Sequence, residues 1–170
     1  ALPRPRAPGP AGNPVSVRTC HELSAAGARR HVTDERTTLG AILRAARTIA
    51  VVGLSPSPSR ASYGVAQYLQ SVGYRIIPVR PGVDTLLGER AYPDLRSARS
   101  AVGPLDVIDV FRRSAAIPEL ADDLLAVQPK LVWMQVGVRD DATATRLGEA
   151  GIPVVMDRCL MVDHPWLTSD

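Results

Sequence analysis

Five short apolar runs, each separated from the next by a stretch with helical periodicity, constrain the fold more than any other feature of this chain. The runs cover residues 47–54, 74–80, 106–113, 130–138 and 153–158. Continuous apolar runs are typical of parallel strands that are buried on both faces. Strands that alternate with helices predict an α/β fold, a doubly wound, mostly parallel, Rossmann-like sheet of five to six strands. Residues 89–92 are the candidate for the short extra strand.

Five helices are expected between and before these strands, over residues 34–46, 62–72, 94–101, 116–127 and 140–150. Asp34, Ser62 and Ser114 each stand where a side-chain oxygen can cap a helix. Gly73 follows the second helix, where a glycine commonly ends one. Pro118 falls in a first turn, where its missing N–H costs little.

The length of 170 residues fits one domain, which we place at residues 34–170. The opening "ALPRPRAPGPAGNPVSVR" has five prolines and no apolar period, so we predict that residues 1–33 are flexible. A role of this Pro- and Arg-rich segment in binding another protein stays open, as does the oligomeric state.

Charge and cysteine content exclude several classes of protein. Six arginines and three acids lie in residues 1–36, so the remainder of a chain with net charge +3 is neutral. This balance argues against nucleic-acid binding. No apolar run approaches the roughly 20 residues of a membrane-spanning helix. Two cysteines, Cys20 and Cys159, and no signal-peptide pattern favour a cytoplasmic protein without disulfides.

Candidate ligand contacts lie at the carboxyl ends of the predicted strands, where doubly wound sheets bind their ligands. After the first strand, the chain reads Gly53-Leu54-Ser55 and continues through a loop rich in serine to a helix. A glycine-rich G-x-G-x-x-G turn is absent, yet free N–H groups at a helix start bind anions without one. Phosphate contacts are therefore expected from the backbone and from the side chains of Ser55, Ser59, Arg60, Ser62 and Tyr63.

Arg80 ends the second strand, where an NAD-binding protein would carry an acid for the ribose hydroxyls. A cation there favours a ribose with an extra phosphate, as in NADP or in the 3′-phosphorylated ADP of coenzyme A. The alternative is a surface arginine paired with Asp84. After the third long strand, Phe111, Arg112 and Arg113 offer an apolar wall and cations for a pyrophosphate. Ordinary ion pairs of these arginines with Glu119 or Asp109 are the alternative.

Sequence motifs for catalysis or metal binding are not found. His164 is expected to have only neighbours from the C-terminal tail, and Cys159 is most simply a small buried apolar residue. No H-E-x-x-H, C-x-x-C, P-loop or G-x-S-x-G pattern occurs. A binding protein without catalysis of its own is the leading interpretation.

Six motifs in order resemble the small bacterial CoA-binding proteins, stand-alone relatives of the CoA-binding domain of the succinyl-CoA synthetase α subunit. They are "GLSPSPSRASYGVAQYL", "GYRIIPVRP", "LGERAYPDL", "DVIDVFRR", "WMQVGV" and "VVMDRC". The resemblance spans residues 39–164. Members commonly show P-V-N-P where this chain has Pro78-Val79-Arg80-Pro81.

The resemblance implies a ligand, coenzyme A or an acyl-CoA, and places its parts along the sheet edge. The loop 55–63 would hold the phosphates, Val79, Arg80 and Pro81 would border the adenosine, and the segment 111–113 with Ile117 would flank the pantetheine. Gln135, at the end of the next strand, completes the candidate set. An NADP-dependent oxidoreductase or redox sensor, and an interaction scaffold without a ligand, remain the alternatives.

Overall fold

The computed structural model describes residues 25–169, with side chains from residue 35 onward. Six α-helices and seven strands follow one another along this part of the chain. They are α1 (Ala25–Ala45), β1 (Thr48–Val52), α2 (Ala61–Ser71), β2 (Arg75–Val79), β3 (Thr85–Leu86), β4 (Glu89–Arg90), α3 (Leu95–Val102), β5 (Val107–Val110), α4 (Ile117–Val127), β6 (Leu131–Met134), α5 (Asp141–Glu149), β7 (Val154–Val155) and α6 (Leu160–Thr168).

Five of the strands form one parallel sheet in the order β2-β1-β5-β6-β7. The other two, β3 and β4, form a short antiparallel hairpin. The α/β, Rossmann-like fold with a single domain is thus confirmed. The strand β2 pairs with one side of β1, and β5 pairs with its other side. The strand order therefore reverses between β1 and β5, and this position is the switch point of the sheet.

Two apolar clusters cover the two faces of the sheet. The first joins β1 and β5 to α1, α2 and α6 through residues such as Leu43, Leu69 and Leu160. The second joins the opposite face to α3, α4 and α5, with Leu95, Leu124 and others at its centre. All strand residues of β5 and β6 are buried, as their unbroken apolar sequences predict.

Three expected helix caps are wrong. The helix α1 begins at Ala25, so Asp34 lies inside it. Of the segment 1–33 that was predicted to be flexible, residues 25–33 are helical, and residues 1–24 lie outside the described part. The Ser62 hydroxyl accepts a hydrogen bond from the Ser55 amide and does not cap α2. Ser114 opens a short 3-10 helix, and its hydroxyl bonds Gly137 and Arg139.

The final helix, α6, was not expected from the sequence, and it places His164 in the core. His164 is buried, with Nδ1 3.0 Å from the Tyr68 hydroxyl and Nε2 3.0 Å from the Tyr74 hydroxyl. The Tyr74 hydroxyl donates to the Leu43 carbonyl at 2.9 Å, so it can only accept from Nε2–H. The expectation of tail neighbours alone is wrong, because α6 folds back against α1 and α2.

Candidate ligand-binding site

The carboxyl ends of β1 and β5 touch at Gly53. Its φ is +82°, and a Cβ placed there would lie 2.3 Å from the carbonyl oxygen of Phe111. The Gly53 amide also donates to the Val79 carbonyl at 3.0 Å. A glycine is needed here for two reasons, the left-handed backbone and the close approach of the neighbouring strand. The second glycine of interest, Gly64, has open space around it.

The loop between β1 and α2 is held in shape by its serines. The Ser57 amide donates to the Ser55 hydroxyl at 3.1 Å, and the hydroxyls of Ser57 and Ser59 are 2.9 Å apart. With the Ser62 hydroxyl bonded to the Ser55 amide, hydrogen bonds of four serines stabilise this loop.

The start of α2 presents backbone donors to the same edge. Arg60 occupies the N-cap position, and its side chain makes no capping hydrogen bond. The amides of Ala61 and Ser62 find no acceptor among the residues that the structure describes. Unsatisfied N–H groups and the positive end of the helix dipole create an anion site.

Arg80 reaches from β2 toward β1. Its guanidinium Nη1 donates to the Leu54 carbonyl at 3.2 Å, and its backbone amide donates to the Tyr92 carbonyl at 2.8 Å. The side chain is half-buried and forms no ion pair with Asp84 or with any other acid in residues 35–169. The alternative pairing with Asp84 is therefore wrong for this structure.

Arg112 and Arg113 are exposed at the end of β5. The Cδ atom of Arg112 lies 3.3 Å from the Cβ position built on Gly53, so its stem covers the switch point. Neither guanidinium is paired with an acid within the described side chains. The alternative of ion pairs with Glu119 or Asp109 is wrong, since Asp109 is fully buried in the sheet.

Four arginines, Arg60, Arg80, Arg112 and Arg113, thus follow three neighbouring strands at one edge and have no carboxylate partner in the described part of the chain. Elsewhere in this part, seven ion pairs occupy five other arginines and Lys130, whereas Arg36, Arg44, Arg47, Arg90 and Arg99 also form no ion pair with a described acid. We call these four residues the arginine rim. Like charges without counterions repel one another, and an anionic ligand would remove that repulsion.

A surface cleft of about 620 Å³ adjoins Arg80 on the outer side of β2. The guanidinium of Arg90, which also lines the cleft, lies over the Tyr92 ring, 5.6 Å from its centroid. The cleft has the size of a small-molecule site. Its lining residues are Arg80, Gly82, Val83, Asp84, Thr85, Arg90, Ala91 and Pro93.

Gln135 is buried at the end of β6 and contacts Asp109. Its Nε2 donates to Asp109 Oδ1 at 2.8 Å, and its carbonyl accepts from the Val138 amide at 2.8 Å. These bonds fix a tight turn over residues 135–138 at the carboxyl edge. Direct ligand contact of the Gln135 side chain stays a prediction, and its observed partner lies below the edge.

The remaining candidates differ in what they can offer a ligand. Leu54, Val79 and Ile117 have buried side chains, so only their backbone atoms face the edge. Ser59 and Pro81 are exposed, whereas Tyr63 and Phe111 are half-buried. The structure brings this set to one edge of the sheet. Contact of each residue with a ligand stays a prediction.

The sequence argument gave no positioning role at the turn 135–138 to two residues that have one. Asp157 has a left-handed backbone with φ of +57°, and its Oδ1 accepts from the Gly137 amide at 2.7 Å. The Ser114 hydroxyl donates to the Gly137 carbonyl at 3.1 Å. Together they clamp the turn 135–138 from both sides. An aspartate or a serine directly after a strand was the only available signal.

Other chemistry is sparse at the site. Cys159 is a free thiol, half-buried against the core at the start of α6. Among the described residues, no group of three or more His, Cys, Asp or Glu side chains is arranged to hold a metal ion. Within the same range, no helix has the length and apolar character needed to cross a membrane.

Comparisons with known proteins show the family to which most of the chain is similar. The model of a family described as "CoA binding domain" matches residues 47–165. The uncharacterized protein YneT of Bacillus subtilis (strain 168) is 40% identical over 123 residues, which cover 72% of this chain and 89% of YneT.

Solved structures include proteins with the same fold. One from Thermus thermophilus (cell-free ID.343) is 43% identical, with a TM-score of 0.73 over 78% of this chain and 98% of that one. A dinucleotide-forming acetyl-coenzyme A synthetase of Ca. Korarchaeum cryptofilum shares the fold alone. It is 23% identical, with a TM-score of 0.56 over 64% of this chain and 25% of that one.

Proposed function

This chain belongs to the CoA-binding domain family, and from that premise we propose that it binds coenzyme A or an acyl-CoA at the arginine rim without a catalytic step of its own. The observation that carries the proposal is the position of Arg60, Arg80, Arg112 and Arg113 after three neighbouring strands, without a carboxylate partner within the described residues. Coenzyme A brings a pyrophosphate and a 3′-phosphate, whose charges match these cations.

The pyrophosphate is assigned to the start of α2. The amides of Ala61 and Ser62 have no acceptor in the described part of the chain, and Arg60 stands beside them. Charge-assisted hydrogen bonds from amides and guanidinium groups are the strong bonds by which proteins hold phosphates. Arg112, whose stem covers Gly53, is the cation on the opposite side of the switch point.

The adenosine end is assigned to the cleft beside β2. Arg80 and Arg90 both line it, and Arg80 lies where the P-V-N-P pattern of similar proteins has asparagine. The 3′-phosphate is the group that justifies a cation at this position. The Arg80 guanidinium donates one hydrogen bond to the Leu54 carbonyl, and its other N–H groups are available to the ligand.

The pantetheine arm is assigned to the ends of β5 and β6. Phe111 is half-buried there, and Ile117 is buried at the start of α4. An apolar wall next to a rigid turn suits an uncharged chain that ends in a thiol or a thioester. Cytoplasmic localisation remains a prediction of the same proposal.

Isothermal titration calorimetry with coenzyme A, 3′-dephospho-coenzyme A and NADPH tests the proposal. We expect coenzyme A to bind most tightly and the dephospho form to bind about 10-fold more weakly, because a charge-assisted pair contributes about 1.5 kcal/mol or more. In Arg80→Ala, the two CoA forms should bind equally. Tighter binding of NADPH than of coenzyme A would favour an NADP-dependent protein, and equal weak heats for all three would overturn the proposal.

A further inference from the structure

Asp109 is the one described side chain with a buried polar atom that has no hydrogen-bond partner. It lies in the central strand β5 and is 0% exposed. Its Oδ1 accepts from Gln135 Nε2 at 2.8 Å, whereas its Oδ2 has no partner. A buried carboxyl group with an unsatisfied oxygen is costly, so its presence calls for a physical reason.

The surroundings of Asp109 are apolar. Its neighbours in register are Val51 on β1 and Trp133 on β6, and both belong to the cluster beneath α1, α2 and α6. Burial raises the pKa of Asp109 to about 7, against the opposing effect of its hydrogen bonds with Gln135 and the Val110 amide. The carboxyl group is therefore largely neutral at slightly acidic pH.

Several titratable or charged groups lie on the elements that pack against the same face of the sheet as Asp109. They are Arg158, paired with Glu35 and Asp163 above the Trp133 ring, Cys159 at the start of α6, and the trio of Tyr68, Tyr74 and His164. None of them contributes to the pKa shift of Asp109. Burial lowers the pKa of His164, which favours its neutral form.

Asp109 is connected to the binding edge through Gln135. The amide of Gln135 donates to the Val110 carbonyl at 3.2 Å, and its carbonyl closes the turn 135–138. Phe111 follows Asp109 by two residues, which places the carboxyl group roughly 7 Å below the strand end. A negative ligand at the edge is therefore close enough to oppose the ionisation of Asp109 through a low-dielectric interior.

We propose that Asp109 is a positioning residue of the binding edge: its Oδ1 holds Gln135, which closes the turn 135–138, and ionisation of the carboxyl group weakens the binding of an anionic CoA through charge repulsion. The inference rests on the proposed function. One unit of charge about 10 Å from the carboxylate, at an effective dielectric of about 20, makes the neutral form bind roughly tenfold more tightly. Affinity should then fall about fourfold between about pH 6.5 and pH 8.

The test is a calorimetric titration with 3′-dephospho-coenzyme A, whose pyrophosphate keeps its charge across this range. Wild-type protein should lose about fourfold in affinity from about pH 6.5 to pH 8, and Asp109→Asn should show no loss. Because His21 and His31 are present in both proteins, the difference between the two profiles isolates Asp109. Asp106→Asn, directly before β5, is the matched control. Its affinity should change with pH as that of wild type does.

A second measurement needs no variant. Titrations in buffers of different ionisation enthalpy report the protons exchanged on binding, and wild-type protein should take up about half a proton near pH 7.5. Proton uptake that persists in Asp109→Asn, or a flat wild-type profile with measurable binding, would overturn the role of Asp109 while leaving the proposed function in place. Absence of binding at every pH would overturn both.

Discussion

The Cα atom of Gly53 and the carbonyl oxygen of Phe111 are so close that a Cβ on Gly53 would lie 2.3 Å from that oxygen. This contact joins the ends of β1 and β5 at the switch point of the sheet. The stem of Arg112 lies over the same position. Both the backbone fold and the arginine rim therefore depend on a residue without a side chain at position 53.

Gly53→Ala should destabilise the protein by about 2 kcal/mol or more, because the methyl group would meet backbone atoms and the φ of +82° disfavours any L-residue. Chemical denaturation measures the change. Gly64→Ala is the matched control, since nothing lies within 4 Å of its Cβ position in α2. This control should gain about 0.5–1 kcal/mol. Equal stability of Gly53→Ala and wild type would contradict the close approach.

Tyr74→Phe should lower stability without affecting ligand affinity. Its hydroxyl bonds both Leu43 and His164 in the core, and its loss leaves the buried Nε2–H of His164 without its acceptor, at a cost of about 1–3 kcal/mol. The residue precedes β2 and so lies at the edge opposite the site. Tyr68→Phe, which removes a half-buried hydroxyl from the same histidine, should cost less. A larger loss for Tyr68→Phe, measured by urea denaturation, would refute the assigned hydrogen bonds.

Asp109 should make the unliganded protein less stable as pH rises. Its folded pKa of about 7 lies above the ordinary value of 3.8, so the folded state binds the proton more tightly than the unfolded state does. The stabilisation is complete below the ordinary pKa and is lost progressively up to about pH 7, by up to about 4 kcal/mol. The free energy of unfolding is measured for wild type and Asp109→Asn from pH 5 to pH 8. With rising pH, the value for wild type should fall relative to that of the variant, so that the two become equal or the variant becomes the more stable protein. Parallel profiles would contradict a raised pKa.

Arg112→Ala should weaken coenzyme A binding about three- to tenfold, because the lost cation is exposed and its pairing with phosphate is partly screened. Arg99→Ala is the control, an exposed arginine in the last turn of α3, near the edge where β5 begins. It should bind as wild type does. Added salt should narrow the gap between Arg112→Ala and wild type in the same calorimetric titration. Equal losses for both variants would show that net charge alone, and not the arginine rim, sets affinity.

Much of the fold follows from local sequence patterns. Unbroken apolar strands such as 131–134 and helices with a clear apolar stripe such as Ile117–Val127 were predicted within a few residues. The ends of strands were overestimated, since residues 153–158 were expected to be extended and only Val154–Val155 form a strand. An apolar run does not show where ladder hydrogen bonds stop, because that depends on the neighbouring strand.

The helix α6 was missed for a physical reason. It is short, has no apolar stripe and contains Pro165, so local patterns argue against a helix. Tertiary contacts with α1 and α2 stabilise it instead, and they also place His164 between two tyrosines. Contacts between distant residues are not visible in a local pattern.

The candidate site divides in the same way. The glycine at the strand end and the arginine rim could be predicted, because parallel strands bring their carboxyl ends to one edge. The hydrogen-bond partners of Ser62, Ser114 and Gln135 could not be predicted, because each side chain bonds a residue that only the folded chain brings near it. Hydroxyl and amide groups have several possible partners, and the sequence does not choose among them.

A crystal structure of the protein with coenzyme A bound would test the central claim most directly. We predict that the pyrophosphate oxygens lie within hydrogen-bond distance of the Ala61 and Ser62 amides, with the 3′-phosphate on the Arg80 guanidinium. A nucleotide bound at the opposite edge of the sheet, or an arginine rim left without contact to the ligand, would contradict the account.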